Sequence, residues 1–565
     1  LSKTPNVDRG HQYALDVVNK KIPACEWVIL SCQKYLDDLK QSKKNKDSEF
    51  YFDKQVAERV LKFKQMFTHV KGPWANTLLI LEPWQLFFNM NIFGWLKRSD
   101  GCRKYRKALL FVPRKNGKSA DAATTGLYML TGDGEEGAEV FSGAGDLEQA
   151  RAVFKPAWSM AQKVPDFQEF YNVDISGTHK QPRAIFSLSS DSVFKPIVGN
   201  PGDGDSPSCA IVDEYHEHKT DALFDTMETG MGAREQPLML IITTAGSNLA
   251  GPCYALVSMC KKILQGVKKD DSVFSLMYGI DPDDDWSSIE SAIKANPNYG
   301  VSVSEDYIKA RLTAAVNDPK KQTIYKTKHL NQWVGAMDAY FNTEAWQALG
   351  DPNLKLEDFC GRRIFIGLDL SSKIDIASMQ ILIPLGDDHY VQFNKNYLPE
   401  ARTEGDENEQ YKAWAEEGYI TVTDGEIIDY SQIKQDILDL CSNFELVELA
   451  YDPFQATMLV TELMSEGVPV VELAPNVLNF SEPMKELDAK IQAKTIMHNG
   501  DPVMSWMMSN VVSKRDKKDN DYPNKEMFEN KIDGPVALIM AINRAMNDEH
   551  GSLDDFLNNP ISVSF

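Results

Sequence analysis

The chain has 565 residues, too many for one hydrophobic core, with 43% hydrophobic and 25% charged residues, an ordinary soluble make-up. A formal net charge of −22 excludes a general electrostatic grip on nucleic acid, so any such contact must be local. No apolar run reaches the roughly 18–20 residues that span a bilayer, the first residues carry no apolar signal core, and the eight cysteines lack metal-like spacing, as buried thiols in a reducing cytoplasm do.

Residues 1–70 read as a helical lead-in, because residues 24–39 and 50–67 repeat apolar side chains at three- and four-residue spacing. Next comes Leu81-Glu82-Pro83-Trp84-Gln85, where the Gln85 amide matches the donor and acceptor edge of adenine, or simply belongs to an apolar helix opened by Pro83. A basic cluster over residues 97–107 runs into Ala108-Leu109-Leu110-Phe111, a buried strand.

That strand meets Val112-Pro113-Arg114-Lys115-Asn116-Gly117-Lys118-Ser119, and residues 120–130 then read as a helix. A Gly-Lys-Ser at a strand-to-helix turn binds the phosphates of a nucleotide. The backbone N–H groups of Arg114, Lys115, Asn116 and Gly117 cradle the anion, Lys118 reaches the β/γ-phosphates, and the Ser119 hydroxyl ligates Mg²⁺. Val112 stands where the general pattern has Gly.

Further β-like runs at residues 139–143, 184–188, 209–213 and 238–243 alternate with helical stretches, which predicts a parallel sheet with helices on both faces, over residues 71–345. Cys209-Ala210-Ile211-Val212-Asp213-Glu214 ends in two acids, so Asp213 can hold the Mg²⁺ shell while Glu214 polarises the attacking water. Thr243-Thr244-Ala245-Gly246 closes the last run, where Thr244 can sense the γ-phosphate, or where the strand merely turns. Hydrolysis also needs a cation on the transition state. Arg114 could supply it within the chain, and Arg234 or Lys195 from a neighbouring subunit; the sequence does not choose among them.

After a linker at residues 346–359, a second α/β unit spans residues 360–550, followed by a frayed tail at 551–565. Its strands are read at 363–368, 377–382, 390–394, 446–451 and 468–473, with a closing helix at 532–547. Asp369 and Asp452 stand at strand ends, and Asp533 heads the closing helix, where it could equally be an N-cap. Three acids from separate elements can converge on two hard cations, Mg²⁺ or Mn²⁺, for phosphodiester cleavage. Asp375 is a further candidate acid, and His498 and Asn510 flank an amphipathic stretch beside them.

With both constellations in view, the chain resembles the large terminase subunit of tailed bacteriophages, in its HK97-like branch. The carrying segments are Leu81–Gln85, Pro113–Ser119, Ile211-Val212-Asp213-Glu214, Thr243–Gly246, Gly367-Leu368-Asp369-Leu370-Ser371, Ala450-Tyr451-Asp452-Pro453 and Lys531-Ile532-Asp533-Gly534. The resemblance implies an N-terminal P-loop ATPase, with Glu214 as catalytic base, that drives double-stranded DNA into a procapsid through the portal. It also implies an RNase H-like nuclease with Asp369, Asp452 and Asp533 as metal ligands, cutting concatemeric DNA. A small terminase subunit, a pentameric ring and the host bacterial cytoplasm come with it. A rival reading keeps the ATPase as a helicase-class translocase and makes the C-terminal domain catalytically inactive; another makes the nucleotide a structural ligand only.

Overall fold

The computed structural model describes residues 2–548 apart from 46, 145–146, 199–204, 250, 335–338, 371–375, 404–408, 455, 516–519 and 526–529, so Ser371, Asp375 and the tail lie outside the described residues. Two compact units emerge, Leu1–Gly246 with Gly251–Trp333, and Ser247–Ala250 with Val334–Phe565.

In the first unit β1 (Phe50–Phe52) and β2 (Trp95–Lys97) form a small antiparallel pair. The main sheet contains β3 (Lys107–Phe111), β4 (Glu139–Ala144), β5 (Val173–Gly177), β6 (Pro182–Ser187), β7 (Ser192–Val198), β8 (Cys209–Asp213), β9 (Leu238–Thr243) and β10 (Val273–Met277). Their order is β10-β3-β9-β8-β4-β7-β6-β5. β8 and β9 are buried at every position, as continuous apolar runs covered on both faces must be.

The expected parallel sheet holds from β10 to β7 and fails at one edge, where β6 and β5 run antiparallel. Tight turns suffice there, and no position of β5 is fully buried, with Asp174 and Gly177 exposed. Residues 50–52, read as the start of a helix, form β1 instead, and the helix begins at Lys54 behind the Asp53 cap.

The lead-in is not a separate body. Helices Pro5–Val18, Glu26–Lys44 and Lys54–Lys64 bury Val7, Tyr13, Val28, Val60 and Leu61 in the same apolar cluster as Leu110 and Ile211. A fully buried ion pair adds to the tie: Lys64 Nζ lies 2.9 Å from Asp121 Oδ1, on the helix Lys118–Thr131. Lys64 also donates to Thr125 Oγ1 at 2.8 Å, and Asn89 Nδ2 donates to Asp121 at 2.9 Å.

The second unit has β11 (Arg363–Asp369), β12 (Ala377–Gly386), β13 (His389–Pro399), β14 (Thr421–Thr423), β15 (Glu445–Tyr451), β16 (Val470–Glu472) and β17 (Ile496–His498) in one sheet. The order is β14-β13-β12-β11-β15-β16, with β17 also on β13. β12 is antiparallel to β11 and β13, and β15 and β16 are parallel to β11, the arrangement of an RNase H-like domain. A hairpin of β18 (Val511–Arg515) and β19 (Asp521–Lys525) stands apart from the sheet.

Alternation sorts the two faces. Ile364, Ile366, Leu368 and Leu449 pack with Ile433, Ile437, Leu459 and Leu463 of the helices Tyr430–Asn443 and Thr457–Ser465. Phe365 and Ala450, on the opposite face, pack with Leu538, Ile539 and Ile542 of the helix Asp533–Met546. Gly367 lies on that second face, and a Cβ there would stand 1.8 Å from the Ala537 carbonyl oxygen, so the closing helix can sit directly on the sheet.

Candidate functional site

The turn after β3 is shaped by two left-handed residues, Lys115 at φ 72° and Gly117 at φ 84°, the latter directly preceding the helix Lys118–Thr131. Asn116 holds the turn closed. Its Nδ2 donates to the Pro113 carbonyl at 3.1 Å and to Asn296 Oδ1 at 2.9 Å, and its Oδ1 accepts from Asn298 N at 3.0 Å. Asn298 Nδ2 donates to the Asn116 carbonyl at 3.2 Å, Ser302 Oγ to the Lys115 carbonyl at 2.6 Å, and Trp84 Nε1 to Asn298 Oδ1 at 2.6 Å. The Arg114 amide, expected among the donors to the anion, instead donates to the Lys328 carbonyl at 3.1 Å, which leaves the amides of Lys115, Asn116 and Gly117 as the candidate donors.

Gln85 sits in the first turn of the helix that Pro83 opens, as its second reading expects. Its Oε1 accepts from Glu82 N at 3.0 Å and completes a capping box for the helix Pro83–Gly94, while its Nε2 stands close enough to Gly117 that a Cβ there would meet it at 3.5 Å.

Opposite the loop, Lys118 Nζ donates to Glu214 Oε1 at 3.1 Å. Burial pushes the Glu214 carboxyl up, but Lys118, His216 and Arg114 outweigh it and hold the group below the usual range. Its other oxygen, Oε2, accepts no hydrogen bond among the described residues, and its backbone is left-handed at φ 48°, a conformation that costs a non-glycine residue about 1–3 kcal/mol. Asp213 is 1% exposed, and burial raises its carboxyl to about 7 against the pull of Lys118. Such a group is charged readily only beside a cation, which suits a Mg²⁺ ligand. Ser119, on the first turn of the helix, is half-buried beside Lys118.

Sequence reasoning missed His216. Its Nδ1 lies 3.1 Å from Thr243 Oγ1 and 3.3 Å from Glu214 Oε2, and its Nε2 lies 3.3 Å from Lys328 Nζ. Burial depresses the imidazole, which stands between Glu214 and Thr243 of β9. Thr243, rather than Thr244, makes that link; Thr244 is buried and its hydroxyl donates to the Ala245 carbonyl at 3.1 Å.

Arg114 is exposed at the mouth, 4.0 Å from Glu217. Arg234 is tied by its guanidinium to the Ser206 carbonyl at 2.8 Å, the Gly137 carbonyl at 2.9 Å and Glu135 at 3.3 Å, and Lys195 lies over the Phe141 ring.

In the second unit Leu368 pairs with Tyr451, so Asp369 and Asp452 follow as neighbours at adjacent strand ends, on the face covered by the closing helix. Asp452 N donates to the Leu368 carbonyl at 3.4 Å. Burial raises the Asp452 carboxyl, while Phe454 N, donating to it at 3.0 Å, lowers it. Asp533 is the first helical residue and not the cap, which is Ile532; there its charge favours the helix dipole.

The paired strand-end carboxylates are an all-oxygen donor set that fits a hard cation. The three acids do not form one cluster: among the described residues no group of three His, Cys, Asp or Glu side chains stands ready to hold a metal. Tyr522 of β19, unforeseen from sequence, has its hydroxyl pushed up by burial and by the charges of Asp452 and Asp369, and it donates to the Pro475 carbonyl at 2.9 Å. His498 is structural: it stacks on Trp346 at 4.1 Å, with its ring nitrogens 2.8 Å from the Trp346 carbonyl and 3.1 Å from Gly500 N. Asn510 donates to the Lys531 carbonyl at 3.1 Å.

Fold and sites together define a P-loop ATPase joined to an acidic-site nuclease domain. Residues 83–262 match the family described as terminase large subunit, ATPase domain, and residues 267–549 match terminase large subunit, endonuclease domain. The chain belongs to the terminase large-subunit family and is an ATPase and endonuclease using nucleotide and divalent cation. It is 42% identical to protein YmfN of Escherichia coli K12 over 376 residues, covering 64% of this chain and 83% of that protein. It is 27% identical to the terminase large subunit of Enterobacteria phage HK97 over 521 residues, covering 90% and 99%. The crystal structure of the HK97 large terminase superposes with a TM-score of 0.45 at 25% identity, covering 86% of this chain and 99% of that one. Among the described residues no helix is long and apolar enough to cross a membrane.

Proposed function

We propose that the chain is the motor and cutting subunit of a phage DNA-packaging machine, hydrolysing ATP to drive double-stranded DNA into a procapsid and cleaving concatemers at a two-metal site. The observation that carries the motor half is the contact of Lys118 with Glu214 at 3.1 Å, beside a turn made left-handed at Lys115 and Gly117. In the bound state Lys118 moves onto the β/γ-phosphates and releases Glu214, whose Oε2 takes a proton from water as that water attacks the γ-phosphorus. The bond to the β-bridging oxygen breaks, and ADP leaves with the electron pair. Ser119 and Asp213 would hold Mg²⁺, which would neutralise phosphate charge, and Gln85 would read the adenine edge.

For the nuclease, Asp369 and Asp452 would hold Mg²⁺ or Mn²⁺ with Asp533, and the bound cations would supply an activated water and a stabilised leaving oxygen. The neighbouring strand ends of the first two acids support this reading. The partners are the portal, a small terminase subunit and the procapsid, in a ring of five copies in the host cytoplasm. Purified protein with ATP, plasmid and Mn²⁺ tests the reading. Both turnover and cutting are expected; ATP turnover with no cutting favours a translocase whose C-terminal domain is inactive.

A further inference from the structure

We propose that Lys328 is a further catalytic residue of the ATP site, a cation supplied within the same chain that binds the γ-phosphate. This rests on the phosphate site assigned above to Lys118 and Glu214. Lys328 lies at the C-terminal end of the helix Pro319–His329, more than two hundred residues from the P-loop in sequence. Its ammonium lies 3.3 Å from His216 Nε2, and its carbonyl accepts from Arg114 N of the P-loop at 3.1 Å.

Three cations, Lys118, Arg114 and Lys328, surround the carboxylates Glu214 and Glu217 at this mouth. Lys118 takes Glu214 at 3.1 Å and Arg114 stands by Glu217 at 4.0 Å, whereas Lys328 meets the His216 imidazole at 3.3 Å. Burial and the Arg114 charge depress the Lys328 ammonium, a cost that an arriving phosphate oxygen would remove. The ammonium donates a hydrogen bond to a non-bridging γ-oxygen and transfers no proton.

The residues around Lys328 make the assignment more than proximity. The His329 carbonyl accepts from Asn296 Nδ2 at 2.7 Å, and Asn296 in turn braces Asn116. Asn331, left-handed at φ 58°, accepts from Ala245 N at 2.7 Å and donates to the Tyr278 carbonyl at 2.7 Å. The segment 328–331 thus joins the P-loop, the end of β9 and the residue after β10. A cation released from His216 to the γ-phosphate would loosen or tighten all three together, so phosphate loss is felt in the chain that follows.

Full-length Lys328→Ala is compared with wild type for ATP turnover and for binding of fluorescent ADP and a fluorescent non-hydrolysable ATP analogue. Turnover is expected to fall roughly 10²-fold and the analogue to bind about tenfold more weakly, with ADP affinity changed less than about twofold. Lys328→Arg should recover part of both losses. Should Lys328→Ala melt early, Lys328→Met keeps the buried stem and carries the same measurement. Equal weakening of ADP and the analogue, or turnover within about threefold of wild type, would overturn the proposal. Lys118→Ala separates the two levels: if it still hydrolyses ATP, the phosphate site itself is wrong; if it is inactive while Lys328→Ala is not, only the role of Lys328 falls.

Discussion

The two units build their sites from opposite electrostatic materials. The ATPase end interleaves signs, with Lys118 against Glu214 and Arg114 near Glu217, and braces its loop with the amides of Asn116, Asn296 and Asn298. Such a site is held together by its own attractions before nucleotide arrives, and nucleotide then redirects its cations. The nuclease end gathers one sign: Asp369 and Asp452 stand on neighbouring strands, Asp533 starts the closing helix, and like charges resist further approach. A site of paired charges can be rigid beforehand, whereas a site of carboxylates depends on the cation to draw it together.

That contrast can be broken most sharply by removing one charge from each end. Lys118→Ala should cut ATP turnover by on the order of 10³-fold and leave Mn²⁺-dependent plasmid nicking largely intact, measured on one preparation. Asp369→Ala or Asp452→Ala should do the reverse. Loss of both activities in a folded single mutant would mean that the sites are not independent.

Smaller effects sharpen the difference in rigidity. Lys64→Met strands Asp121 as a lone buried charge and should cost the ATPase unit about 3–5 kcal/mol, read by denaturant unfolding. Gly367→Ala pushes a methyl into the Ala537 carbonyl and should destabilise the nuclease unit by about 1–3 kcal/mol, visible as a lower melting transition with turnover of ATP retained. Gln85→Ala loses half of a capping box, about 1 kcal/mol of local stability, and should raise the KM for ATP severalfold with kcat little changed.

Much of the ATPase was legible because buried parallel strands write themselves as unbroken apolar runs: CAIVD and LMLIIT needed no partner to be recognised. The P-loop was legible because its turn demands particular residues at fixed spacing. What was illegible is what comes from far along the chain. Asn296, Asn298 and Ser302 belong to no motif, and only the fold shows that their side chains clasp the P-loop. His216 is one of many histidines until Thr243 and Lys328 are found on its two nitrogens. The β5–β6–β7 edge was read too simply, since β5 is half-exposed and carries little apolar signal. In the nuclease unit the strands were readable and the register was not, so the adjacency of Asp369 and Asp452 had to come from the Leu368–Tyr451 pairing.

The lysine–aspartate tie between the third N-terminal helix and the P-loop helix has a practical corollary for anyone trimming this protein. A fragment begun near residue 70, where the sequence reading ends the helical lead-in, would discard Lys64 and open the apolar bed under Trp84 and Phe87. Asp121 would then sit uncompensated one turn from Lys118, and the fragment would lose nucleotide affinity through a distorted helix start while every recognised motif remained in its sequence. The smallest portion able to burn ATP therefore includes the opening helices, which carry no signature of that chemistry.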